Sequence, residues 1–172
     1  MKQKIFFNQG TAIVLLMLFS VGLASIASDW LRAPTLPEEF ARQNLHTIDG
    51  KEVTIAELSA KKPLLVYLWT NGCSACRYTT AGMLTLSDND YNVLAVALRS
   101  GNDIHVVRLL HGKHLVLPVV NDPVGELFSG WKINASPTYL IVSRGKMVQS
   151  TSGWTSTLSI RIRLWWVNKW YR

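Results

Sequence analysis

An α/β domain behind one apolar N-terminal segment is the fold class the sequence predicts, and three observations carry that prediction. Leu64–Trp69 (LLVYLW) is apolar on both faces, as a strand inside a sheet must be. It leads into helical spacing over residues 74–86, and the pattern repeats as a buried strand at 93–98 and a helix at 103–110. Further on, apolar strands at 139–142 and 147–151 flank the turn Ser143-Arg144-Gly145-Lys146, so hairpin strands are mixed with crossover-connected ones.

The elements follow in order. Residues 5–28 hold no ionisable side chain; Lys2 and Lys4 precede them and Asp29 follows. These 24 residues would reach roughly 36 Å as a helix, against a hydrocarbon core of about 30 Å. They read as an export signal retained as an anchor, with Ser25 and Ala27, spaced like a peptidase site, leaving cleavage as the alternative. The flanking lysines place the N-terminal end in the cytoplasm and everything after Asp29 outside. Residues 29–45, with two prolines and mixed charge, read as a linker. Residues 46–54, with Asp49-Gly50 at the bend, predict a hairpin, and residues 55–59 a helical turn. A further strand is expected at 115–120, and a closing helix from near Thr155, buried through Leu158, Ile162 and Trp165. The expected division is 1–28 for the anchor or uncleaved signal, 29–45 for the linker, and 46–172 for a folded domain with a basic, tryptophan-rich last helix.

At 172 residues the chain can hold one domain with a real hydrophobic core and is too short for two ordinary ones. With 48% hydrophobic and 17% charged residues it is more apolar than an average soluble chain, which fits contact with a membrane. The net charge of +7 is uneven: residues 1–126 hold 11 basic and 11 acidic side chains, whereas residues 127–172 hold 7 basic and none acidic. Lys169, Trp170, Tyr171 and Arg172 suit a membrane interface, so inner-membrane lipid is an expected partner. Nucleic acid is not expected, because an exported protein meets none.

The chemistry concentrates at Cys73-Ser74-Ala75-Cys76, which holds both cysteines of the chain. Cys73 stands where a buried strand hands over to a helix, so its sulfur meets unpaired backbone N–H groups and the positive helix end; Arg77 adds charge nearby. Such surroundings bring a thiol below its free pKa of about 8.5. Cys73 is then the thiolate nucleophile and Cys76, one turn into the helix, the resolving thiol. The same spacing also serves as half of a zinc site or as a Cu(I) loop. There is no second C-x-x-C, and Ser136-Pro137-Thr138 precedes a later strand, a pattern that a metal loop does not need. Redox chemistry is therefore favoured, with no metal and no cofactor expected. The alternatives are a copper-handling protein that uses the two cysteines as Cu(I) ligands, and a binding module with a structural disulfide. Trp69 fills volume beneath the motif and, with Gly72, borders the substrate approach; Trp131 and Trp154 also read as core packing. The histidines of His111-Gly112-Lys113-His114 read as a solvated helix end.

Three stretches, LVYLWTNGCSACR at 65–77, LPVVND at 117–122 and INASPTYLIV at 133–142, resemble the thioredoxin superfamily in its membrane-anchored, outward-facing TlpA/ResA-like branch, over residues 46–153. The short anchor, Arg77 directly after the second cysteine and Ser136-Pro137-Thr138 look most like the suppressor-of-copper-sensitivity group of thioredoxin-like membrane proteins. The resemblance implies a central mixed sheet flanked by helices, with an inserted helix–strand unit over residues 102–121. It implies a cis Pro137 facing a redox-active Cys73–Cys76 disulfide, which bares the Ser136 backbone to pair with an extended substrate. It also implies a periplasmic disulfide reductase held on the bacterial inner membrane, acting on protein disulfides or thiols and recharged by a transmembrane electron-transfer reductase. Copper stress or cytochrome maturation would supply its clients. The chain departs from the pattern at three places: Gly72 replaces the usual Trp, Tyr67 a buried Asp, and Thr79 a Glu found in some relatives. No acid therefore lies beside Cys76 in sequence.

Overall fold

A computed structural model describes residues 9–87, 91–111 and 117–171. Helix α1 spans Gln9–Leu31; its Gly10–Leu31 stretch, 22 residues of which none is buried, is long and apolar enough to cross a membrane. Residues 32–44 hold no strand or longer helix, yet Phe40 and Ala41 are buried and the Ala41 carbonyl accepts from Ala56 N at 2.8 Å. This stretch packs on the domain.

The short hairpin β1, Leu45–His46, and β2, Glu52–Val53, forms where residues 46–54 predict it. It runs into α2, Ile55–Leu58, whose start is fixed by a capping box: Thr54 accepts from Glu57 N, and the Glu57 carboxylate accepts from Thr54 N. Strand β3, Leu64–Trp69, is buried at every position, as its unbroken apolar run requires. Helix α3, Ser74–Ser87, then β4, Asn92–Leu98, and α4, Asp103–His111, complete the predicted β-α-β-α order. Strands β6, Thr138–Ser143, and β7, Lys146–Ser152, form the expected hairpin, with Arg144 and Gly145 both at positive φ in the two-residue turn. Helix α5, Thr157–Trp170, starts two residues later than expected because the Ser156 hydroxyl accepts from Ser159 N and sets the cap there.

The five-stranded sheet runs β5-β4-β3-β6-β7, with β5 at Val119–Asp122. β3 pairs parallel with β4 and antiparallel with β6. This is a thioredoxin-like α/β fold, its mixed sheet flanked by helices. Side chains alternate along β3. Leu65, Tyr67 and Trp69 enter one core with Met83 and Leu86 of α3, Val106 of α4 and Ile160 of α5; Leu64, Val66 and Leu68 enter the other with Phe40, Phe128 and Trp131. Trp131 is packed as expected, edge-on to both phenylalanines. Trp154 is not, being 72% exposed.

Two further expectations need correction. The strand expected at 115–120 lies at Val119–Asp122. Pro118 has no N–H to give a ladder, and polar Asn121 and Asp122 are strand residues because their side chains tie loops: Asp122 accepts from Gly125 N and Phe128 N, and Asn121 donates to Gly101 O. Residues 112–116, including most of the His-Gly-Lys-His stretch, lie outside the described residues. The second correction concerns α5. Its buried face is Ile160, Leu164 and Val167, while Leu158, Ile162 and Trp165 are exposed. Apolar residues stand on nearly every side of this helix, so their spacing admits two phases. The medium-sized aliphatic set fits closely against α3 and the sheet. At that contact a Cβ on Gly82 of α3 would collide with the Thr157 hydroxyl.

The two phases are separable by unfolding. Leu164→Ala should cost about 2–5 kcal/mol in chemical denaturation, the range for a buried large-to-small change. Ile162→Ala should stay within about 0.5 kcal/mol. The opposite ranking would restore the phase read from the sequence.

Candidate active site

Cys73 and Cys76 form a disulfide at the strand–helix junction, with their Cα atoms 5.2 Å apart. The loop from β3 is held on both sides. Cys73 N donates to Thr70 O at 3.2 Å, and Asn71 N donates to the Ser100 hydroxyl, just past β4, at 2.9 Å. The Asn71 amide also meets His105 Nε2 of α4 at 3.1 Å. Cys76 N donates to Cys73 Sγ at 3.0 Å, so the sulfur itself caps the first turn of α3. Cys73 is half-buried, whereas Cys76 is only 3% exposed.

The other expected site residues gather at the same end of the sheet. The β3–β6 ladder ends at Leu68↔Thr138, which brings Pro137 level with Trp69 at the strand end that leads to the cysteines. The Ser136–Pro137 bond is cis. Thr138 Oγ1 donates to Ala135 O at 2.7 Å and Gly153 N donates to Pro137 O at 2.7 Å, so this segment is tied on both sides. A cleft of about 210 Å³ runs beside the disulfide, lined by Trp69, Asn71, Cys73, Cys76 and Arg77 among others. A neighbouring cleft of about 310 Å³ reaches Ser136, Arg99 and Lys132, and the two share Thr70. Trp69 is 6% exposed, so its bulk fills core; its Nε1–H, without a partner among the described residues, leaves one donor at this edge. Gly72 sits on the exposed lip, and a Cβ there would meet nothing. Its backbone does not need glycine, and the missing side chain leaves the approach to the disulfide bare.

Beneath Cys76 the fold assembles what sequence reasoning missed. The Tyr67 hydroxyl lies 3.2 Å from Thr79 Oγ1 and 3.0 Å from Thr80 Oγ1. Thr80 in turn donates to the Cys76 carbonyl at 2.6 Å, and Thr79 to the Ala75 carbonyl at 3.2 Å. Tyr139 stacks on Tyr67 with ring centroids 5.3 Å apart. The signal was available: Thr79 and Thr80 stand three and four residues after Cys76, on the helix face that follows the cysteine inward. Burial raises the Tyr67 phenol above its ordinary value and pushes Tyr139 up to about 12. The place of a buried acid is taken by neutral hydroxyls.

Both phenols hold their protons more tightly in the fold than in the unfolded chain. Between about pH 10 and the Tyr139 value of about 12 the unfolded state therefore loses protons first, and stability should fall across that window and show no tyrosine-linked slope below it. The Tyr139 hydroxyl is buried without a partner among the described residues. Tyr139→Phe should be neutral or stabilising and remove part of the alkaline slope, whereas Tyr67→Phe should cost about 0.5–1.5 kcal/mol for its lost hydrogen bonds. Denaturant titrations at pH 7 and above pH 10 read both.

No protein-family model matches the chain. A thioredoxin-like protein of Haemophilus influenzae is 38% identical over 136 residues, covering 79% of this chain and 81% of that protein. Among solved structures, DsbF of Mycobacterium tuberculosis superposes with a TM-score of 0.64 at 18% identity, over 77% of this chain and 99% of that one. The exposed lipoprotein thioredoxin Etrx1 of Streptococcus pneumoniae superposes with a TM-score of 0.59 at 24% identity, over 71% and 96%. The two structures share the fold, and the Haemophilus relative matches the sequence across most of both chains; on that likeness the chain belongs to the thioredoxin-like proteins.

Proposed function

We propose that this chain is a protein thiol-disulfide oxidoreductase that works as a reductase, with Cys73 as nucleophile and Cys76 as resolving thiol. The observation that carries the assignment is the asymmetry of the pair: Cys73 is half-buried and its Sγ accepts from Cys76 N at 3.0 Å, while Cys76 is only 3% exposed. In the reduced protein the same N–H and the start of α3 stabilise a thiolate on Cys73. That thiolate attacks one sulfur of a client disulfide, forms a mixed disulfide and releases the other client sulfur as thiolate. Cys76 then loses its proton and displaces the client from Cys73, leaving the client with two thiols and the protein with the Cys73–Cys76 disulfide. Two electrons have passed to the client. A second thiol donor must return them, and a transmembrane electron-transfer reductase is the partner class this reading takes. Ser136, Pro137, Gly72 and Trp69 frame the client's approach.

The reading places the domain outside the cytoplasm, tethered by α1 in the inner membrane, with copper-stress or cytochrome-maturation proteins as clients. Support comes from the apolar, unburied α1 and from the lysines before it. A neutral network under Cys76 favours a site where the resolving proton leaves through hydroxyls or water, since burial keeps the tyrosines protonated.

Variants, alkylation and fractionation test the proposal. Cys73→Ser should abolish reduction of insulin disulfides, and Cys76→Ala should trap mixed disulfides with clients. Equal alkylation rates of the two thiols at neutral pH, or Cu(I) uptake without turnover, would sink the assignment. After a carbonate wash the full chain should stay in the membrane pellet; release into the supernatant would overturn the tether.

A further inference from the structure

The outer face of α5 is unlike the rest of the domain surface. Leu158, Ile162, Trp165, Trp166 and Trp170 are each about half exposed or more, at 67, 55, 52, 49 and 62%. They face away from the buried Ile160, Leu164 and Val167. Two exposed cations, Arg161 and Lys169, stand among them and α5 has no acidic residue. Lys169 Nζ sits 5.2 Å from the Trp165 ring and 5.7 Å from the Trp170 ring. Indoles with cations draped over them are amphipathic groups suited to the headgroup level of a bilayer.

The position of this face matters as much as its composition. Asp29, in the last turn of α1, accepts from Arg163 Nη2 of α5 at 2.7 Å and from the Thr151 hydroxyl of β7 at 2.6 Å. The ion pair is mostly buried. Arg163, Trp166 and Trp170 stand at i, i+3 and i+7 on one line of α5, so the Trp166–Trp170 pair, centroids 5.6 Å apart, borders the clamp to α1. Trp30 and Leu31, which follow Asp29, are 79% and 75% exposed. The end of an apolar spanning helix emerges at the interface.

We propose that the outer face of α5 lies in the interface of an anionic bilayer beside the end of α1, with Leu158, Ile162 and the three tryptophans against lipid and Arg161 and Lys169 against headgroup phosphates. This docks the domain on the membrane in one orientation, which the Asp29–Arg163 pair sets. It rests on the reading that α1 spans the membrane.

The test uses the full chain reconstituted into phosphatidylcholine–phosphatidylglycerol vesicles whose acyl chains carry bromine near the headgroup. Tryptophan emission should be quenched, and the combined Trp165→Phe, Trp166→Phe and Trp170→Phe variant should lose most of the quenchable emission while still floating with the vesicles. Asp29→Asn, which keeps every tryptophan, should float equally and show reduced quenching. If the protein floats but Trp30→Phe alone removes the quenching, α5 is off the bilayer and this proposal fails while the anchor stands. Failure to float overturns both. Floating protein with unquenched α5 tryptophans and a concentration-dependent dimer would assign the face to a second copy instead.

Discussion

Everything at the site depends on the burial of β3 in the middle of the sheet. Its six side chains are all enclosed, and a parallel neighbour on one side and an antiparallel one on the other pair it along both edges. A strand so constrained cannot slip by one residue without sending Leu65, Tyr67 and Trp69 into the wrong core. Its C-terminal end is therefore a fixed point. The loop that leaves it delivers Cys73 to the start of α3, and the antiparallel register with β6 brings Pro137 to the same level. Redox chemistry needs a thiol held to within fractions of an ångström, and rigid strands on both sides supply that.

The buried layer below the cysteines shows how a fold can change the polarity of a site without changing its shape. An ionised carboxylate under Cys76 would need compensation in a low-dielectric core. Two stacked tyrosines and two threonines fill that space with neutral groups, and the two threonine hydroxyls end on backbone carbonyls of the cysteine helix itself. The arrangement stiffens the first turns of α3. It also puts neutral hydroxyls rather than a carboxylate beneath the resolving thiol, so the charge near the site comes from the helix start and from Arg77.

Charge and apolar surface are distributed with the same economy. The excess of basic residues lies after residue 126, yet one of those cations, Arg163, is spent on Asp29 in a part-buried ion pair that joins the apolar helix to the domain. The pair ties the start of the connector to the domain, and residues 32–44 pack Phe40 and Ala41 onto the second core. The domain is held at the end of α1 by these contacts as well as by the chain.

Local chemistry alone made much of this legible. The unbroken run LLVYLW had to be an interior strand, the Arg144-Gly145 turn had to close a hairpin, and a cysteine between strand and helix had to lie against free N–H groups, because each rests on interactions within a few residues. The sequence also offered the six residues that the fold gathers at one end of the sheet, through their likeness to a known pattern. Other features were decided only by tertiary packing. β5 extends through Asn121 and Asp122 because their side chains tie loops, Asn121 to Gly101 twenty positions earlier and Asp122 to Gly125 and Phe128. The phase of α5 was undetermined, since apolar residues surround that helix and only the space against α3, where Gly82 allows close approach, selects Ile160, Leu164 and Val167. The partner of Asp29 was likewise invisible, because a hydrogen bond between residues 134 positions apart leaves no local periodicity to read.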